Sequence, residues 1–323
     1  MAVFVDKKIV DLRPGDHVKT YYYVKEAAVK TTTTNNKYMN FILSDNTGDI
    51  NAKLWDWDEE NANRFKAGTI VKVQASIVDW QGQLQMKIEF IGNLLPSDDI
   101  KIEDYIPSAP YSAASMYDYI LNVANKIKDN EIRSLVLNIY EENKERILVA
   151  PAAKKNHHAL RSGLLYHTAT MLKSAIAMAG VYTFLNTDLL FAGVMLHDIG
   201  QLLEMEVNEL GLVNEYSTAG IMLGHLVQGV AYIAQKGKEL NINEEKSLLI
   251  QHMIISHHYI PEHGSPKYPQ FPEAELLHYL DIVDARMYDM NAAYNNVEPG
   301  TFSDKIWSLD NRSVYKPRCF EDA

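Results

Sequence analysis

The sequence predicts an α+β multidomain protein, a small N-terminal β-barrel followed by an all-α domain. Two observations carry this reading. Apolar residues recur with period 2 in the first 95 residues, and with period 3.6 from residue 111 onward. Between these regimes lies PSDDIKIEDYIPSAP (96–110), rich in proline and acidic residues, which reads as a linker.

The strands come first. In Thr69–Trp80, Val71, Val73, Ala75 and Ile77 alternate with Lys72, Gln74 and Ser76. In Gln83–Ile91, Leu84, Met86, Ile88 and Phe90 alternate with Gln83, Gln85, Lys87 and Glu89. One face of each is therefore expected in the core and the other in water. Gln81-Gly82 between them suits a tight hairpin. Asp45-Asn46-Thr47-Gly48 separates Tyr38–Ser44 from Asp49–Trp55, and Val18–Val24 makes a fifth short strand. Five such strands over 1–95 match an OB-type barrel.

Helical periodicity then runs over 113–128, 130–147, 162–180, 186–198, 215–236, 244–258 and 273–294. Pro261, Gly264, Pro266, Pro269 and Pro272 separate the last two. The all-α domain is thus expected at 111–300, with 301–323 as a C-terminal tail.

Composition narrows the function. Of 323 residues, 47% are hydrophobic and 23% charged, ordinary for a globular protein. The single cysteine, Cys319, excludes an intrachain disulfide and suits a reducing compartment. No apolar leader opens the chain, and no run approaches the roughly 18 apolar residues that cross a bilayer. A cytoplasmic protein with no membrane partner is expected. Acidic and basic residues balance over 1–95, so the whole net charge of −11 falls in the remainder. Such acidity repels phosphate unless bound cations offset it locally, which favours a metal site there.

Ten of the eleven histidines lie after residue 150. In order come His167, His197-Asp198, His225, His257-His258 and Asp281. The plain alternative for any one histidine is a packed core or surface residue. Asp281 sits within the apolar helix LLHYLDIVDARM, where a carboxylate is costly to bury unless paired or metallated. Imidazole with carboxylate suits Mn, Fe, Co, Ni or Zn, with Mg also open, and the lack of thiolates argues against a structural zinc site. Adjacent helical residues diverge by about 100°, yet His197 and Asp198 both reach an ion at a helix edge. Gly193 and Gly200 leave room for other backbone to approach.

The order H…HD…H…HH…D resembles the HD-domain phosphohydrolases. The segments NHHALRSGLLYHT (156–168), LLFAGVMLHDIGQ (189–201), GHL (224–226), LLIQHMIISHHYIPEHGSP (248–266), EAELLHYLDIVDARM (273–287) and LDNRSVYKP (309–317) resemble the YhaM-type OB-fold/HD-domain 3′→5′ exoribonucleases of Gram-positive bacteria. The barrel segments SDNTGDINAKLWD (44–56) and TIVKVQASIVDWQGQLQMKI (69–88) extend the likeness over nearly the whole chain.

That resemblance implies one ion on His167, His197, Asp198 and Asp281, and a second on His225, His257 and His258, with Asp198 bridging. One or two divalent ions, manganese above all, would clamp a phosphate and activate water as a hydroxide near neutral pH. In-line attack would release nucleoside 5′-monophosphates from single-stranded RNA, with single-stranded DNA also open as a substrate. The family's motif usually continues His-Asp-Ile/Leu-Gly-Lys, whereas this chain has Gln201, which donates a hydrogen bond without charge. Arg161, Lys155, Lys267 and Arg286 are candidate replacement cations.

Other candidates rank below these. His157 and His158 precede the first ligand and are placed to touch phosphate, with a surface role as the alternative. Asp284, one turn after Asp281, is expected to orient a ligand or to pair with Arg286. His252 and His278 are read as supporting or core residues.

On the barrel, Lys53 and Trp55 alternate outward against inward Ile50, Ala52 and Leu54, while Lys72 and Lys87 share the wet face of their strands. Lys37, at the end of a Lys25–Lys37 loop, and Tyr38, with Tyr21, Tyr23 and Trp80, complete the expected nucleic-acid surface. Two other functions fit less well. One is an HD phosphohydrolase of small or cyclic (di)nucleotides, against which the fused barrel speaks. The other is a non-catalytic nucleic-acid-binding or replication-associated factor, against which the complete ligand series speaks.

Overall fold

The computed structural model describes residues 4–56, 58, 63–95, 97–154 and 157–319. The chain forms two compact units, Met1–Ser108 and Ala109–Ala323.

The first unit contains β1 (Phe4–Val5), β2 (His17–Thr31), β3 (Lys37–Asp45), β4 (Gly48–Leu54), β5 (Ile70–Trp80) and β6 (Gln83–Asn93). Their order is β1-β2-β3-β4-β6-β5, and β5 returns to pair with β2, closing a barrel. The long β2 makes closure possible: His17–Tyr23 pair with β5, and Tyr23–Thr31 pair with β3, interrupted by a bulge between Val24 and Glu26. Most of the expected 25–37 loop is therefore strand. All five expected strands form, and their inward residues fill the core: Phe41, Leu43, Ala52, Val71, Val73, Ala75, Ile77 and Met86 are fully buried.

Phe90 is the exception. Ala75 pairs with Ile88 but Gln74 pairs with Phe90, so one extra residue, Glu89, enters β6. A one-residue bulge reverses every later side chain, and Phe90 turns outward. At the β5–β6 hairpin Gln81 and Gly82 both have positive φ, 55° and 79°, as a type I′ turn requires.

Most of the expected linker adheres to the barrel unit. Asp104 carbonyl accepts from Asn46 N–H (3.1 Å) and Lys8 Nζ (2.9 Å), and Tyr105 packs edge-on against Tyr21. Its apolar residues draw it in, and the unit boundary falls after Ser108.

The second unit carries α1 (Ala113–Ala124), α2 (Asn130–Glu142), α3 (Lys144–Val149), α4 (Gly163–Val181), α5 (Thr187–Leu196) and α6 (Gln201–Glu204). A hairpin, β7 (Met205–Val207) and β8 (Val213–Tyr216), precedes α7 (Thr218–Glu239), α8 (Glu244–Ser256) and α9 (Pro272–Asn295). Side chains of Ser112, Asp129, Asn186, Ser217 and Asn243 cap α1, α2, α5, α7 and α8. Helix α5 is apolar all round, with Leu189, Leu190 and Ala192–Leu196 buried, so the residues at its C-terminus are held inside the bundle.

Two differences from expectation bear on the site. The β7–β8 hairpin occupies the approach to α7, and α7 is broken at Gly224 (φ 68°, ψ 169°), a conformation essentially reserved for glycine. The expected tail is also structured: Phe302 bridges to Tyr315, Ile306 to Arg312, Leu309 is fully buried, and Arg286 of α9 pairs with Asp310 at 3.0 Å. No described helix is long and apolar enough to cross a membrane.

Candidate active site

Five elements deliver the histidine–aspartate series to one place. His197 is the C-cap of α5 and Asp198 follows it. His167 comes from α4, Asp281 and Asp284 from successive turns of α9, His225 from just beyond the Gly224 break, and His257-His258 from the end of α8. Gly200 lets this happen, because a β-carbon there would strike the His225 carbonyl. At Gly193 the close neighbour is instead the Met253 side chain, which fills the space a β-carbon would need.

Each imidazole is anchored through Nδ1. His197 Nδ1 faces Val194 O (2.9 Å), His257 faces Ile254 O (2.8 Å) and His258 faces His263 O (2.7 Å). His167 Nδ1 meets Asp284 Oδ2 at 2.7 Å, and His225 Nδ1 meets Glu204 Oε2 at 3.2 Å. Each acceptor fixes the proton on Nδ1 and leaves the Nε2 lone pair for another partner.

The Nε2 atoms converge. His167 Nε2 lies 3.2 Å from His197 Nε2 and 3.3 Å from Asp281 Oδ1. Asp198 stands between two sets: Oδ2 is 3.6 Å from His197 Nε2, while Oδ1 is 3.6 Å from His225 Nε2 and 3.7 Å from His257 Nε2. Ligand atoms of His167, His197 and Asp198 lie within 4.8 Å of one another, as do those of His225, His257 and His258.

Asp198 Oδ1, His225 Nε2 and His257 Nε2 are buried without a hydrogen-bond partner, which is costly unless something cationic meets them. Burial raises the Asp198 carboxyl, but His197, His225 and His257 hold it well below the usual carboxylate range. Burial also pushes His257 well below its ordinary value, with His258 and His197 adding to the effect. His167 differs: burial lowers it, yet Asp281 and Asp284 outweigh burial and push it up to about 10. A proton there sits where a cation would. Lone-pair imidazoles, ionised carboxylates and no thiolate make a donor set that fits divalent ions.

The centre opens into a cleft of about 1000 Å³ lined by Asp198, Gln201, Glu204, His225, His258 and Asp281, with His157, Lys154, Tyr216 and Trp307 also on its wall. Gln201 is where expected. His158 is not: it is buried, and its Nε2 bonds Asp284 Oδ2 at 2.8 Å, bracing the carboxylate that holds His167. Arg161 donates to Glu209 carbonyl and does not line the cleft; Lys267 is likewise absent from its wall, and Arg286 is engaged with Asp310. Lys155 lies outside the described residues. His252 accepts from Gln270 N–H (3.0 Å) and so pins the loop before α9. His278 Nδ1 bonds the His257 carbonyl at 2.7 Å and steadies that ligand's backbone. Glu204 and Lys154 escaped the sequence reading. Neither belongs to the spaced series, and the proline-free stretch around Gly224 gave no sign of the break that brings His225 to Glu204.

The barrel carries a second constellation. Tyr38 and Trp55 stack at 4.8 Å, and Lys53 Nζ lies 5.4, 5.9 and 5.8 Å from the rings of Tyr38, Trp55 and Trp80. Trp55 and Trp80 are 46% and 59% exposed, enough to offer ring faces to a ligand. Lys87 is exposed and paired with Lys53 across β4–β6, and Lys37 is exposed at the start of β3. Lys72 is engaged elsewhere, 3.4 Å from Asp98 and 5.0 Å from the Tyr21 ring.

Residues 25–94 match the family of OB-fold nucleic acid binding domains, and residues 164–286 match the HD domain family. Fold and site thus define the class: an HD-domain protein fused to an OB barrel. The chain is 36% identical over 318 residues to 3′-5′ exoribonuclease YhaM of Halalkalibacterium halodurans, covering 98% of each. It is 37% identical to the YhaM of Shouchella clausii, covering 94% of this chain and 95% of that one. For the YhaM of a Geobacillus species the identity is 36%, covering 96% and 95%. The chain belongs to the YhaM family.

Proposed function

We propose that the chain is a divalent-metal-dependent 3′→5′ exoribonuclease that releases nucleoside 5′-monophosphates from single-stranded RNA, with manganese as the working ion. The observation that carries the reading is the convergence of buried, unpartnered Asp198 Oδ1, His225 Nε2 and His257 Nε2 at the floor of an open cleft. The activity named for relatives that align along nearly all of both chains, and the exposed aromatic–lysine face of the barrel, support it.

His167, His197, Asp198 and Asp281 would hold one ion, and His225, His257 and His258 a second, with Asp198 between. When bound, such ions polarise a phosphoryl oxygen and acidify water. The protein's own part is orientation: Asp284 and Glu204 fix two imidazoles, and backbone carbonyls fix three. Gln201 offers an uncharged amide to a phosphoryl oxygen in the cleft. Barrel aromatics stack on bases irrespective of sequence.

The test is a 5′-labelled single-stranded RNA incubated with the protein and Mn²⁺, beside the DNA of the same sequence. A ladder shortening from the 3′ end is expected. Retardation without cleavage, or cleavage of cyclic dinucleotides alone, would overturn the proposal.

A further inference from the structure

The walls of the cleft are acidic. Asp198, Glu204 and Asp281 line it, and Gln201 brings no charge. A polyanion entering such a space needs a cation besides the ions at its floor. Among the described lining residues, Lys154 is the only lysine or arginine. Its ammonium lies over the ring of Tyr216, 5.1 Å from the centroid, and no carboxylate pairs with it among the described residues. Tyr216 ends β8, paired with Met205 at the open end of the hairpin, and Trp307 is 74% exposed on the same cleft wall, a large apolar face left in water beside a polar site.

We infer that Lys154, Tyr216 and Trp307 form the binding subsite for the 3′-terminal nucleotides, the ammonium meeting a backbone phosphate and the two rings stacking on bases. Lys154 thereby supplies the charge that Gln201 withholds. Tyr216 holds the lysine side chain over its ring in the free protein, so the cation is already placed when the strand arrives. None of the three belongs to the histidine–aspartate cluster, and none is needed to bind metal. The inference rests on the exonuclease reading above.

The experiment compares the full-length protein with Lys154→Ala, Lys154→Arg and Trp307→Ala, all loaded with Mn²⁺. Metal content is measured first and is expected to be unchanged in every variant. On single-stranded RNA, Lys154→Ala should raise KM about tenfold and make the dependence of log KM on log salt shallower by about 0.7, the loss of one phosphate contact to a single strand. Lys154→Arg should restore both. Trp307→Ala should raise KM about tenfold on RNA, as the loss of one stacked base does, with a smaller rise on an oligonucleotide whose 3′-terminal nucleotides are abasic and offer no base to stack. An active wild type whose Lys154→Ala variant keeps its KM and salt slope overturns the inference alone, as does a variant that loses its metal. A wild type inert on RNA overturns the exonuclease reading instead.

Discussion

In the helical unit, five imidazoles are anchored at Nδ1, their Nε2 atoms turned inward, and three of the converging atoms lie buried without a partner. On the barrel, exposed Trp55 and Trp80 and half-buried Tyr38 surround a half-buried Lys53, already stacked on one another or on the cation. Both constellations suit phosphate-bearing chains, yet they are built on opposite principles. The buried cluster stores unsatisfied polarity that only a cation relieves, so each member depends on the rest. The barrel face is satisfied without ligand and offers interchangeable ring surfaces. Loss of a converging ligand should therefore be close to all-or-none in the first region, and loss of a ring graded in the second.

The sharpest way to break this contrast is Asp198→Ala. Asp198 lies between the two histidine sets, 3.6 Å from both His197 and His225, so its removal should undo both at once. Hydrolysis should fall at least about 1000-fold, since a metal's charge stabilisation is worth several kcal/mol. Elemental analysis should show the metal gone, while gel retardation by single-stranded RNA stays near wild type. Wild-type turnover in this variant would remove Asp198 from its position at the centre.

Glu204→Ala follows. It takes away the partner of His225 Nδ1 without touching the converging atoms. Losing such an orienting carboxylate typically weakens metal affinity 10–100-fold, and calorimetric Mn²⁺ titration should show about that loss at one class of site with the other retained. Equal weakening of both classes would mean that the two sets are a single unit.

The two regions also differed in what sequence concealed. Strands declare themselves by alternation, and Ile50, Ala52, Leu54, Lys53 and Trp55 all face as the alternation implies. It failed only where register changed, at the Glu89 bulge that turns Phe90 outward. The histidine series was equally legible, because a carboxylate inside LLHYLDIVDARM has few structural excuses. What sequence hid was the support. His158 looked like a loop residue near phosphate, but a positive φ of 53° folds it inward onto Asp284. Glu204 meets His225 only because α7 breaks at Gly224, and a lone glycine within an apolar helical pattern does not announce a break. Contacts of that kind depend on backbone dihedrals, and periodicity carries no record of them.

On the barrel, Trp55→Ala and Trp80→Ala should each raise KM on RNA about five- to tenfold, the worth of one stacked base, leaving kcat and metal content unchanged. Because Lys53 lies near both rings, the double variant should cost less than the product of the two single effects. A loss of turnover in either single variant would show that the barrel face is as cooperative as the metal centre, and the contrast would fail.

Gln201→Lys has the smallest expected effect and decides which principle governs the cleft wall. Position 201 faces the cleft beside Asp198 and Glu204, so a new ammonium has carboxylates within its surroundings as well as any entering phosphate. The ammonium's attraction for phosphate is offset by its attraction for those carboxylates, so turnover should stay equal or rise within about threefold. Metal content should not move, because Gln201 does not belong to the converging donor set. A marked fall in kcat with metal retained would show that the glutamine amide itself holds the substrate, and that the demand for fixed geometry extends from the buried centre out to the wall.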